Sequence, residues 1–193
     1  MENKMKKRAG KRRKKSILIA AGTVLVIILT AAGYQKINRE IPPAVVEAAQ
    51  IGEWLEYRDG VMISLDSFRF LTGDEQERLY QETGFETIYE TKLLEVTLTL
   101  ENTAAESRQV AMSDLYAEGI GISNGINKNI ADASEGRYSS NMQELQPGEI
   151  KQVCYPYEIL KNQVSGKEWA EITEREFWLT FSSYPVKKKL LLP

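Results

Sequence analysis

Leu94-Glu95-Val96-Thr97-Leu98-Thr99-Leu100-Glu101 alternates apolar and polar side chains without a break. Successive side chains of an extended chain point to opposite faces, so this run specifies a strand with a dry face (Leu94, Val96, Leu98, Leu100) and a wet one (Glu95, Thr97, Thr99, Glu101). A sheet covered on one face only is the habit of antiparallel sheets. Upstream, Val61, Ile63 and Leu65 alternate in the same way after the Asp59-Gly60 turn, and Asp66-Ser67 then shifts the alternation to Phe68 and Phe70, as a β-bulge does. Downstream, Phe177, Leu179 and Phe181 alternate with Trp178, Thr180 and Ser182. Weaker strands are expected at Arg108 to Met112, Leu115 to Glu118 and Ile150 to Tyr157, the last opened by the turn Gln146-Pro147-Gly148-Glu149. Pro156 makes that strand an edge or marks its end.

Two stretches interrupt the pattern. Thr72 to Gly84 has a capping residue, early acidic residues, Leu79 and Tyr80 as anchors and a terminal glycine, which predicts a short surface helix. Gly119 to Asn141 is rich in Gly, Asn and Ser with scattered Ile120, Ile122, Ile126 and Ile130, which predicts a long loop pinned by a few apolar residues. Six or seven short strands with hairpin-type turns fit an all-β fold, an immunoglobulin-like antiparallel β-sandwich with a short helical insertion, over residues 53–193.

The run from Leu93 to Thr103, which ends its strand in Asn102-Thr103, and the later Leu145-Gln146-Pro147-Gly148-Glu149 with its closing strand resemble the telokin-like, immunoglobulin-like domains of unknown function on extracytoplasmic proteins of Gram-positive bacteria. In that family a strand ending in Asn-Thr or Asn-Ser precedes a Pro-Gly-Glu turn that opens a later strand. The resemblance covers about Glu53 to Phe181 and departs from the family at Thr72 to Gly84 and in the length of the Gly119 loop. It implies a fold and a location, and it brings no catalytic residues.

Ahead of this domain, Ser16 to Gln35 runs for twenty residues without a charge, and as a helix reaches about 30 Å, the thickness of a hydrocarbon core. Nine of these residues are Ile, Leu or Val, together worth about -3 to -5 kcal/mol on the membrane-insertion scale. Met1 to Lys15 carries nine Lys/Arg against Glu2 alone, so the positive-inside rule keeps that basic head (1–15) in the cytoplasm. The expected order is the head, one N-terminal transmembrane helix (16–35), a stalk (36–52) and an extracytoplasmic domain. Ala31-Ala32-Gly33 also fits a signal-peptidase site, so cleavage is a second reading of the same segment. Glu40-Ile41-Pro42-Pro43 ends the first helix, and Pro43 can open a short helix from Ala44 to Ile51 stopped by Gly52.

From Lys36 onward sixteen basic residues face 26 acidic ones, which disfavours nucleic acid and anionic lipid headgroups as ligands of the domain. The chain has no histidine and one cysteine, Cys154. That excludes Ser-His-Asp and Cys-His catalytic pairs, the ordinary zinc sites and an intrachain disulfide. Cys154, between Val153 and Tyr155, reads as a small core residue or as a reactive or dimer-forming thiol. The acidic clusters at Asp74 to Glu77 and Glu168 to Glu176 read as solvated surface, because no acid stands inside an apolar run to have its pKa raised for glycosidase chemistry. No calcium loop, phosphate loop or Ser-x-x-Lys motif occurs. No catalytic residue, cofactor site or metal site is therefore expected. The expected function is a non-enzymatic, membrane-tethered module that binds a protein or cell-envelope component outside the membrane. The alternative is an accessory or sensory subunit of a membrane complex in which the transmembrane helix takes part. Loops on a rigid sandwich are where such folds bind, which makes the long loop with Tyr116, Asn124, Asn127 and Tyr138 the expected partner surface.

Overall fold

The computed structural model describes residues 2–134 and 136–193, with side chains from residue 21 onward. It divides into two units, Met1–Pro43 and Ala44–Pro193.

The first unit is one helix, α1 (Glu2–Glu40), with the side chains from Val24 to Leu29 exposed. The expected basic head (1–15) and residues 16–20 of the expected span lie outside the described side chains. Among the described residues no helix is long and apolar enough to cross a membrane.

The described residues of the second unit form eleven strands: β1 (Val45–Ala49), β2 (Trp54–Arg58), β3 (Val61–Phe70), β4 (Thr91–Asn102), β5 (Arg108–Ala111), β6 (Tyr116–Gly119), β7 (Ile122–Gly125), β8 (Met142–Leu145), β9 (Ile150–Leu160), β10 (Phe177–Ser182) and β11 (Val186–Leu192). Among the described residues three short α-helices interrupt them: α2 (Gly73–Thr83), α3 (Lys128–Ala133) and α4 (Gly166–Ala170). One sheet has the order β2-β3-β4-β9, the second β1-β11-β10-β6-β7, and β5 pairs with β8.

The two larger sheets close on one apolar core, which makes the fold a β-sandwich. Leu94, Val96, Leu98 and Leu100 of β4 are fully buried there beside Ile63 and Leu65 of β3. Ala117, Leu179 and Leu190 face them from the second sheet. Aromatic contacts join the layers at Tyr57–Phe181 (5.4 Å between ring centroids) and Phe70–Phe177 (5.7 Å, edge-on), geometries that aromatic quadrupoles favour. The register shift between Leu65 and Ser67 lets β3 stay paired with β4 along its length while its inward positions change parity. β9 passes through Pro156 as the edge strand of its sheet, and the Pro156 carbonyl still accepts from the Asn127 N–H (2.8 Å).

Two expectations need correction. Residues 45–49, expected within a short helix, form β1 and pair in parallel with β11 from Val45↔Val186 to Ala49↔Leu190. An isolated helix of two turns does not sustain itself in water, whereas the β-branched pair Val45-Val46 suits a strand that a neighbour completes. Gly52 (φ 81°) turns the chain between β1 and β2 instead of capping a helix. The domain thus begins at Ala44 and takes in residues assigned to the stalk.

The stretch Gly119 to Asn141 is not a structureless loop. It contains β7, paired with β6, and α3. Ile122 and Ile130 are buried, and Asn127 caps α3 by accepting from the Ile130 N–H (3.1 Å), so the scattered isoleucines and the asparagine supply the order.

Candidate binding cleft

Alternation along β3, β4 and β9 sends Arg69, Glu95, Thr97 and Cys154 to the outer face of the first sheet, with Arg69 opposite Glu95 and Thr97 opposite Cys154. The two interruptions of the strand pattern meet over this face. α2 starts with a capping box: the Thr72 hydroxyl accepts from the Glu75 N–H and the Glu75 carboxylate accepts from the Thr72 N–H. It stops at Gly84 in the left-handed conformation (φ 64°). Leu79 of α2 packs into a second apolar cluster with Leu71, Leu93, Ile130, Ala131 and Tyr138, which fastens α2 to the 128–138 segment.

An open cleft of about 450 Å³ lies over this floor, lined by Arg69, Glu75, Arg78, Glu82, Glu95, Arg137 and Cys154. Glu95 organises it. Its Oε1 accepts from Arg69 Nε (3.0 Å), and its Oε2 accepts from Arg137 Nη2 (3.0 Å), Arg137 Nε (3.3 Å) and the Tyr138 hydroxyl (3.0 Å). Burial opposes ionisation of Glu95, but the hydrogen bonds from Arg137 and Tyr138 with the charges of Arg69 and Arg137 outweigh it and hold the carboxyl below its ordinary range. Arg69 Nη1 also donates to Glu75 (2.9 Å). The Glu75 carboxyl is lowered to about 2, first by the Thr72 N–H and then by Arg69 and the Thr72 hydroxyl. Burial lifts the Tyr138 hydroxyl well above the ordinary tyrosine range, and the nearby Glu95 charge adds to that, so it stays a donor at neutral pH. The half-buried Cys154 thiol is raised, chiefly by burial, which keeps it protonated and a weak nucleophile.

The four expected partner-binding residues do not gather in one place. Tyr138, expected on the partner surface, is buried, because its ring belongs to the second cluster and its hydroxyl to Glu95. Asn127 caps α3 and donates to Glu158 (3.2 Å). Asn124 and Gln163 exchange two amide hydrogen bonds of 2.9 Å. Tyr116 alone of the four is exposed, on the β6–β7 hairpin. Arg69, Arg78 and Arg137 were not singled out by sequence, although Arg69 and Glu95 stand at outward positions of the two best-marked strands. Among the described residues no three carboxylate or thiol groups converge where a metal ion would sit.

A family model described as a domain of unknown function, DUF5028, matches residues 44–188. No curated protein matches the chain. Among solved structures, a secreted protein of Mycobacterium tuberculosis, MPT63, aligns with a TM-score of 0.48 at 13% identity, over 77% of this chain and 98% of that one. An uncharacterized β-sandwich protein of Clostridium difficile 630 aligns with a TM-score of 0.43 at 12% identity, over 78% and 96%. A functionally unknown protein of Listeria monocytogenes EGD-e aligns with a TM-score of 0.47 at 7% identity, over 74% and 80%.

Proposed function

We propose that this chain, which belongs to the DUF5028 family of domains of unknown function, is a membrane-tethered extracytoplasmic module that binds a protein or cell-envelope component and catalyses no reaction. The observation that carries the reading is the convergence of α2 and the 128–138 segment over one sheet face. A sandwich needs neither insertion for its core, yet the two are fastened together and border a polar cleft. Such placement of surface segments on a rigid frame is how β-sandwiches acquire binding sites. The uncharged run 16–35 and the nine basic residues before it support a tether with the head in the cytoplasm. The parallel pairing of the first domain strand with the last, in two sheets around one core, supports an immunoglobulin-like arrangement. The absence of histidine supports the lack of catalysis.

The contact surface then moves from the four residues named from sequence to the cleft. A photo-cross-linking residue placed at position 82, at the cleft, is expected to give a discrete adduct in intact cells. The same residue at position 106, an exposed acidic position outside the cleft, is expected to give none. Equal labelling from both positions would overturn the assignment.

A further inference from the structure

We infer that the cleft is an oxyanion site, which takes a carboxylate or phosphate group of the bound molecule on the guanidinium groups of Arg69, Arg78 and Arg137. The inference rests on the cleft being the contact surface. Formal charge there is balanced, three arginines against Glu75, Glu82 and Glu95, but the unused hydrogen-bonding capacity is not. Both oxygens of Glu95 are taken by Arg69, Arg137 and Tyr138, and both oxygens of Glu75 by Arg69 and Thr72. A guanidinium carries five N–H donors. Arg69 uses one donor on Glu95 and one on Glu75, Arg137 uses two on Glu95, and Arg78 uses one on the Asp74 carbonyl (3.2 Å). Most donors of all three stay open, and among the described residues Glu82 is the one lining carboxylate with no hydrogen bond.

Two further features make the donors suitable for capture. Glu95 holds the Arg69 and Arg137 side chains in place, so ordering them on binding costs less than ordering free arginines. A planar fork of N–H groups matches two oxygens of one carboxylate or phosphate, whereas a neutral ligand would leave most donors unmatched. Arg78 has no ion pair among the described residues, which makes it the arginine with most to gain from an incoming anion.

The test uses the full chain in maltoside micelles, titrated calorimetrically with inorganic phosphate and, separately, with succinate, at constant ionic strength set by sodium chloride. Saturable binding of either anion is expected, about tenfold weaker in Arg78→Gln, the effect of losing one charge-assisted contact. The anion that binds assigns the group as phosphate or carboxylate. Saturable binding of neither, or equal affinity in the wild type and Arg78→Gln, would overturn the inference. If the adduct at position 82 still forms while no anion binds, the cleft remains the contact surface and the ligand chemistry assigned here is wrong. If anions bind and no adduct forms, the site is real and the partner reading fails.

Discussion

Asn102 has no solvent exposure, and its amide joins two segments far apart in sequence. The amide nitrogen donates to the carbonyls of Glu106 (2.8 Å) and Leu145 (3.0 Å), and the amide oxygen accepts from the Ala104 N–H (3.0 Å). Backbone bonds from Asn102 N–H to the Glu149 carbonyl and from Gly148 N–H to the Asn102 carbonyl complete the tie. The Asn-Thr strand end and the Pro-Gly-Glu turn, which stand out separately in the sequence, are thus one piece of architecture. Asn102→Ala is expected to cost about 1–3 kcal/mol in denaturant unfolding, since it takes the amide donor from the buried Leu145 carbonyl. Glu158 behaves in the opposite way. Burial raises its carboxyl above the ordinary range, against the lowering effect of hydrogen bonds from Tyr80 and Asn127. A carboxyl raised in the folded state favours folding when protonated, so stability falls as pH climbs from the unfolded pKa, about 4.3, through the folded one. Glu158→Gln removes that loss. It is expected to melt above the wild type at pH 7, with the difference vanishing below about pH 4; a difference independent of pH would count against the assignment.

α2 was legible in the sequence to the residue, because its stop signals are local: Thr72 and Glu75 form the capping box and Gly84 takes the left-handed turn. Thr72→Ala is expected to lower stability by about 1 kcal/mol, measured by thermal melting. β4 was legible for a similar reason, since its alternation is uninterrupted. The terminal strands were not. β1 is short and mostly exposed, and its helix-like Ala-Ala-Gln pattern is overruled only by β11, which lies at the far end of the chain. β11 reads as three lysines followed by three leucines, with no period of two. Its order comes from neighbours on both sides, β1 and β10. This gives the boundary a test. A domain begun at Glu53, where the sequence suggests it starts, lacks β1 and leaves the β11 backbone edge open. It is expected to melt lower than a domain begun at Ala44 and to self-associate in size-exclusion chromatography.

Across the whole chain, the central strands β3, β4 and β10 could be read from periodicity, but the cleft could not. Arg69, Arg78 and Arg137 stand on β3, on α2 and beyond α3, and their segments meet over one face through the packing of Leu79 against Ile130, Ala131 and Tyr138, the bonds of Gln76 to Thr91 and Leu93, and those of Arg137 and Tyr138 to Glu95. No local pattern encodes a contact of that kind, and the polar run that holds Arg137 reads as a loop pinned by scattered isoleucines. The tether is tested at the same scale: full-length chain is expected to remain with membranes after a carbonate wash, and release of uncleaved chain would refute the anchor. β1 leads the chain into the sandwich, lying side by side and in the same direction with β11 through Val45↔Val186, Val46↔Lys187, Glu47↔Lys188, Ala48↔Lys189 and Ala49↔Leu190. A tug on the chain ahead of Val45 therefore acts along the strand and loads these rungs in shear, all at once, instead of peeling them apart one by one. Were the proposed tether and the proposed bound molecule to move apart, the tension would enter the domain through this clamp, and the grip on that molecule is expected to give way before the fold does.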